Sequence, residues 1–314
     1  MNRLAKFFLF LFIASLFFAP SHSVFAQTPT ASLSAITPTL AEFPTLFPTN
    51  TPIPQSDVEW PLLPPFDDLQ PIASISSATT SAIEVVHPEL LDEYCLDVPV
   101  IMYHHIEPLP IATLLGHAQL TVDSTIFEDQ VKYLLEHKYT PISADDLAKA
   151  LYGHEKLPEK SVLITIDDGY IDNYSYAFLI AKKYHVVMNF MIPTGLIGKP
   201  DYMTWDHLKE MNESPYAKLY NHTTSHAPLG LIGRDEIVKE VTTATQQFTE
   251  NLGIHPTILA YPYGSYSDLA IDTLKELGIT AAISTDPGRN ECTSNLMKLP
   301  RVRVGNAPLS EYGF

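Results

Sequence analysis

From residue 98 onward the chain alternates short apolar runs with amphipathic ones, and few folds accept that alternation. Runs of strand type lie at 98–104, 161–166, 186–192, 257–261, 281–284 and 299–304. Helical periodicity fills 126–137, 174–184, 234–252 and 267–277, the last stopping at Gly278. A Thr125…Glu128 pair is read as the capping box of the first of these helices. Strands that alternate with helices specify an α/β fold with a mainly parallel sheet or barrel. In such folds chemistry gathers at the carboxyl ends of the strands.

The residues before that pattern read as address and tether. Arg3 and Lys6 precede an apolar stretch from Phe7 to Ala19, and Val24-Phe25-Ala26 supplies small residues for cleavage. The stretch is shorter than the roughly 20 residues of a membrane span, so 1–26 is expected to be an export signal. An uncleaved anchor is the other outcome, and the only expected membrane contact. Eleven of the 26 prolines fall between Pro29 and Pro88, among Thr and Ser. Residues 27–90 are therefore expected to be a flexible linker, with 91–314 as the folded domain. Outside the cytoplasm the two cysteines, Cys95 and Cys292, are expected to pair. The net charge of −17 argues against a nucleic-acid partner, which needs clustered Lys and Arg.

Two polar clusters interrupt the apolar pattern. Leu163-Ile164-Thr165-Ile166 runs into Asp167-Asp168-Gly169, where adjacent carboxylates reach one pocket only if the Gly turn breaks strand alternation. Taken alone, Asp-Asp-Gly is also an ordinary turn. His222 and His226 stand four apart, a spacing that on a helical turn aims both imidazoles at one metal. Two His and one Asp leave coordination positions open, as metal-assisted hydrolysis requires, and a second carboxylate beside them can act as base. The same donors suit non-haem iron. No Gly-x-Ser-x-Gly elbow supports a serine hydrolase.

Thr165-Ile166-Asp167-Asp168-Gly169, His222 to His226 and Ala260-Tyr261-Pro262-Tyr263-Gly264 together resemble the three motifs of the polysaccharide deacetylases with NodB homology, carbohydrate esterase family 4. The resemblance runs from about Val98 to Val304. It implies a distorted (β/α) barrel and one divalent metal ion, zinc first, with cobalt, nickel or iron as alternatives. It implies Asp168, His222 and His226 as metal ligands, Asp167 as base and the Tyr263 amide as an oxyanion donor.

Two departures stand out. Ala260 replaces the arginine that orients the base in much of the family, and no His follows His255 to supply the usual acid. Val98-Pro99-Val100-Ile101-Met102-Tyr103-His104-His105 is similar to the N-terminal signature of the poly-β-1,6-N-acetylglucosamine deacetylases. That branch implies a histidine here as the acid. Alternation sends His104 and His105 to opposite faces, so only one can enter the pocket, and alignment with the motif assigns His104. Tyr261, Pro262 and Trp205 are expected to meet substrate, with Tyr202 and Tyr266 as further stacking faces and Asp206 as partner to a ligand histidine. His185, His207 and His255 read as surface or packing residues. The implied function is removal of N-acetyl groups from an extracellular N-acetylglucosamine polymer by a monomeric enzyme. Peptidoglycan is the alternative polymer, and a non-catalytic carbohydrate-binding protein the alternative class.

Overall fold

The computed structural model describes residues 93–314. The expected export signal (1–26) and linker (27–90) lie outside the described residues. Within them the strands are β1 (Cys95–Asp97), β2 (Val100–Tyr103), β3 (His105–Ile106), β4 (Thr121–Val122), β5 (Thr140–Pro141), β6 (Ser161–Ile166), β7 (Met188–Ile192), β8 (Ala217–Asn221), β9 (Ile258–Ala260), β10 (Ala281–Pro287), β11 (Asn290–Cys292) and β12 (Leu299–Arg303). The helices are α1 (Leu109–Leu115), α2 (Ser124–Glu136), α3 (Ala144–Gly153), α4 (Leu179–Tyr184), α5 (Trp205–Glu213), α6 (Arg234–Leu252) and α7 (Asp268–Glu276).

Seven strands close a parallel ring in the order β2-β12-β10-β9-β8-β7-β6, with β6 pairing back onto β2. This is the expected (β/α) barrel. β5 is an added strand on the first half of β6, at Ser161 and Val162, where β7 does not reach. Closure leaves both faces of each strand covered, and β2, β6 and β7 are buried at every position. That is why these strands read as continuous apolar runs.

Alternation sorts the side chains into two layers. Val100, Leu163, Met191, Tyr220, Ile258, Ala260, Ile283 and Leu299 form one cluster, into which α3 inserts Ala144, Leu147, Ala148 and Leu151. Ile101, Tyr103, Ile164, Ile166, Phe190 and Ile192 belong instead to a cluster shared with α2, α4 and α6. The first set faces into the barrel and the second faces the helices. Truncating one of these large side chains to Ala costs roughly 2–5 kcal/mol.

A disulfide joins Cys95 to Cys292, which face each other across the antiparallel β1–β11 pair, 197 residues apart in sequence. The expected pairing is present. The expected capping box on α2 is not: the cap is Asp123, whose carboxylate accepts from the amides of Thr125 and Leu109 at 2.9 Å each. Glu128 points away, to Lys183 and Tyr184. The helix expected over 174–184 opens with a π-helical turn, Asn173–Phe178, before α4.

Candidate active site

Strand parity delivers the site. On β2 the inward positions are 100 and 102, so His104 follows them inward and His105 turns out. On β6 the inward series 163 and 165 continues to Asp167. On β8 Tyr220 leads to His222, and on β12 Leu299 leads to Arg301. Four polar side chains from four strands thus converge at the carboxyl end of the barrel.

Asp168 joins them by backbone conformation. Asp168 and Gly169 both take positive φ, 76° and 70°, so the chain leaves the strand before alternation carries the second carboxylate away. His226 arrives by a similar device. The segment after His222 is an open loop with positive φ at Thr223 (65°) and His226 (62°), not the helical turn that the spacing suggested. Glu240 on α6 holds this loop, accepting from the amides of Thr224 (3.0 Å) and Ser225 (2.7 Å) and from the Ser225 hydroxyl (2.8 Å).

The result is a tight donor set. Asp168 Oδ1 lies 3.1 Å from His226 Nε2 and 3.4 Å from His222 Nε2. Ligands of a tetrahedral zinc-type ion stand about 3.4 Å apart when its bonds are about 2.0–2.2 Å. His222 Nδ1 donates to the Ala260 carbonyl at 2.7 Å, which fixes the tautomer and leaves Nε2 unprotonated for a cation. These residues therefore fit a divalent metal.

Arg301 is the residue that sequence reasoning missed. Its side chain is fully buried, with Nη1 2.9 Å from Asp167 Oδ1 and Nη2 2.8 Å from Oδ2. Nη1 also donates to Thr165 Oγ1, and Nε to the Ser284 carbonyl at 2.7 Å. It pairs with Asp167 in place of the arginine that the third motif lacks at Ala260. An arginine in the middle of an apolar strand run was the signal, because a buried guanidinium requires a buried carboxylate.

Burial raises the Asp167 carboxyl, but Arg301, His222 and His104 reverse that and hold it below the ordinary range. Burial also works against Asp168, and the His222 and His226 imidazoles packed against it hold it far below the ordinary range. The His104 imidazole is lowered by burial, while Asp167 and Asp168 pull it upward. Burial and the Asp168 charge together raise the Tyr170 phenol, so it stays a donor beside that carboxylate.

Other expected residues separate into those at the mouth and those elsewhere. The Tyr263 ring is 70% exposed and lies 4.5 Å from that of His226, on a backbone with φ 58°. Gly264 follows at φ 65°, where a Cβ would collide with Thr285. Pro262 is buried beneath this turn. Tyr202 packs at 5.2 Å from Tyr170 and senses the Asp168 charge. Tyr261, by contrast, is fully buried on the outward face of β9, its hydroxyl donating to the Met297 carbonyl. It is a core residue, not a substrate contact. Trp205 packs edge-on against Phe248 of α6 in the outer core. Asp206 is exposed beside Lys209 and partners no ligand histidine, because the first turn of α5 points it to solvent. Tyr266 hydrogen-bonds to Asp286. His185 pairs with the Tyr216 hydroxyl, His207 caps α5 and His255 is exposed.

Comparison with known proteins agrees with this geometry. Residues 154–282 match the family described as polysaccharide deacetylase. The Bacillus subtilis (strain 168) protein YxkH is 28% identical over 207 residues, 66% of this chain and 71% of that one. The poly-β-1,6-N-acetyl-D-glucosamine N-deacetylase of Escherichia coli (strain K12) is 24% identical over 232 residues, 60% of this chain but 34% of its own length. Among solved structures, the Streptococcus pyogenes deacetylase PplD in complex with acetate superposes with a TM-score of 0.63 at 27% identity, covering 67% of this chain and 93% of that one. With the motifs, the barrel and the relatives in agreement, the chain carries a polysaccharide deacetylase domain of NodB-homology type.

Proposed function

We propose that the chain is a metal-dependent N-deacetylase of an extracytoplasmic N-acetylglucosamine polymer of β-1,6-linked type. The observation that carries the reading is the junction of an Asp168–His222–His226 donor set with a carboxylate, Asp167, that a buried arginine keeps ionised. A divalent cation of the zinc class, held by those three donors, supplies Lewis acidity to the acetamide carbonyl and makes water a stronger acid.

The protein's own groups do the rest. Asp167 takes the proton of the attacking water, and Arg301 keeps that carboxylate both charged and aimed. The backbone amide of Tyr263 donates to the oxyanion, in a turn that Gly264 allows. His104 gives its proton to the departing amine nitrogen, and burial, which lowers the imidazole, favours that release. The amide C–N bond breaks, acetate leaves and the sugar keeps a free amine. The exposed Tyr263 ring offers a face for a sugar ring at the mouth.

The β-1,6 preference is supported by the Val98–His105 segment and by the E. coli relative's substrate. Export is supported by the residue pattern at 1–26 and by the disulfide, which persists in oxidising compartments. The test is acetate release from β-1,6-linked N-acetylglucosamine oligomers, chitin oligomers and peptidoglycan, with Asp168→Asn as blank. Release from the β-1,6 oligomers is expected. Release from peptidoglycan alone would replace the polymer and keep the chemistry. Sugar binding without release from any of them would overturn the enzyme reading.

A further inference from the structure

Behind the strand end that carries His104 lies a second group of metal-type donors. His105, facing out of the barrel, meets Glu107 and His117, and one donor atom from each lies within 4.8 Å of the others. Their side chains are 5%, 8% and 25% exposed, so the group is buried with one side open to solvent. The rings of His105 and His117 stand 3.9 Å apart, and His105 stacks on Tyr170 at 3.7 Å.

Three features suit a cation. First, His105 Nδ1 is taken by Asp172 Oδ2 at 2.6 Å, and the other Asp172 oxygen accepts from Ile106 N and Asn173 Nδ2. Only Nε2 of His105 remains available, backed by a fixed carboxylate, which is the outer support that ligand histidines commonly have. Second, Glu107 Oε1 and His117 Nε2 converge to 2.5 Å beside that imidazole, so a carboxylate donor and an imidazole donor already face one point. Third, two His and one Glu are a three-ligand set known to hold zinc.

The topology gives such a site work to do. Glu107 and His117 bracket an excursion that contains α1, and the β3–β4 pairing (His105↔Thr121, Ile106↔Val122) closes its neck. The same neck carries His104, whose carbonyl accepts from Asn173 Nδ2 at 2.8 Å. We propose that His105, Glu107 and His117 bind a second divalent transition-metal ion of the zinc class, which clamps this neck and the strand end bearing His104. The proposal is independent of the deacetylase reading.

The test is zinc stoichiometry by elemental analysis of the full chain after free metal is removed, with circular dichroism to verify folding. Asp168→Asn is expected to retain one zinc per chain, and the Asp168→Asn/His117→Ala double variant none. Glu107→Gln and His117→Gln, which keep hydrogen-bonding capacity, are expected to lose one equivalent from the otherwise intact chain. Zinc is expected to raise the Tm of Asp168→Asn by several degrees and to leave the double variant unmoved. An Asp168→Asn chain that binds no zinc would overturn the proposal and leave the cluster as a buried ion pair. So would unchanged stoichiometry in both neck variants. Loss of metal from the His117 variants with retention in Asp168→Asn would uphold the second site even if the first proved empty.

Discussion

Arg301 and Asp167 meet through both nitrogens and both oxygens, at 2.9 and 2.8 Å, in a pocket that hides each from solvent. Removing the cation leaves a buried charge without a partner, which costs about 3–5 kcal/mol. Arg301→Gln is therefore expected to lower stability by that amount and kcat/KM by at least about 100-fold. Arg301 lowers the Asp167 carboxyl, so its loss raises it, and the acid limb of the rate profile is expected to move to higher pH. A kcat/KM-versus-pH series on both proteins checks the direction. An unmoved limb would mean that Asp167 is not the base.

The two adjacent aspartates are expected to fail differently. Asp168→Asn should lose metal and activity together. Asp167→Asn should keep its metal while kcat falls by about 10²–10⁴. Metal analysis beside acetate release separates the two. Retained turnover in Asp167→Asn would remove it from the mechanism.

Glu240 lies outside the donor set, yet it ties down the loop between His222 and His226 through three hydrogen bonds. Glu240→Ala is expected to weaken metal affinity about 10–100-fold, the range for lost outer support. Competition against a chromophoric chelator measures it.

Glu291, on β11, is buried with neither oxygen hydrogen-bonded among the described residues, and burial pushes its carboxyl up to about 9. In the unfolded chain it ionises near 4.3. A raised folded value contributes stability that is complete below the unfolded value and lost as pH climbs through the folded one. The protein is expected to weaken between about pH 5 and 9, with this group contributing up to about 1.4 kcal/mol per pH unit in that window. Glu291→Gln should flatten that slope. Denaturant melts at pH 5 and pH 8 give the comparison.

The Cys95–Cys292 bond closes a loop of 197 residues. Its removal by the Cys95→Ser/Cys292→Ser pair is expected to cost about 2–5 kcal/mol, chiefly by freeing the unfolded chain. Unfolding in denaturant with and without reductant is the measurement.

What could be read in advance was what is local. Asp167, Asp168, His222 and His226 announced themselves because apolar strand and polar terminus are contiguous in sequence. Alternation put His104 and His105 on opposite faces, and likeness to the N-terminal signature chose between them. Arg301 could not be assigned a partner, because Asp167 lies 134 residues away and only closure of β2 between β12 and β6 joins them. Tyr261 was misassigned for the converse reason: it sits in a motif, but parity on β9 turns it outward. The His222–His226 spacing imitates a helix, while Glu240 and two positive φ angles build a loop instead. β8 went unnoticed because Lys218 interrupts its apolar run, although its end carries His222.

His104 and His105 are consecutive residues whose side chains occupy separate compartments divided by the barrel wall. One inserted or deleted residue within β2 would exchange their compartments. The segment would then present the Asp172-bound imidazole to the cleft and withdraw the other among aromatic rings. At this strand the length of the chain, and not only the identity of its residues, decides which imidazole meets the cleft.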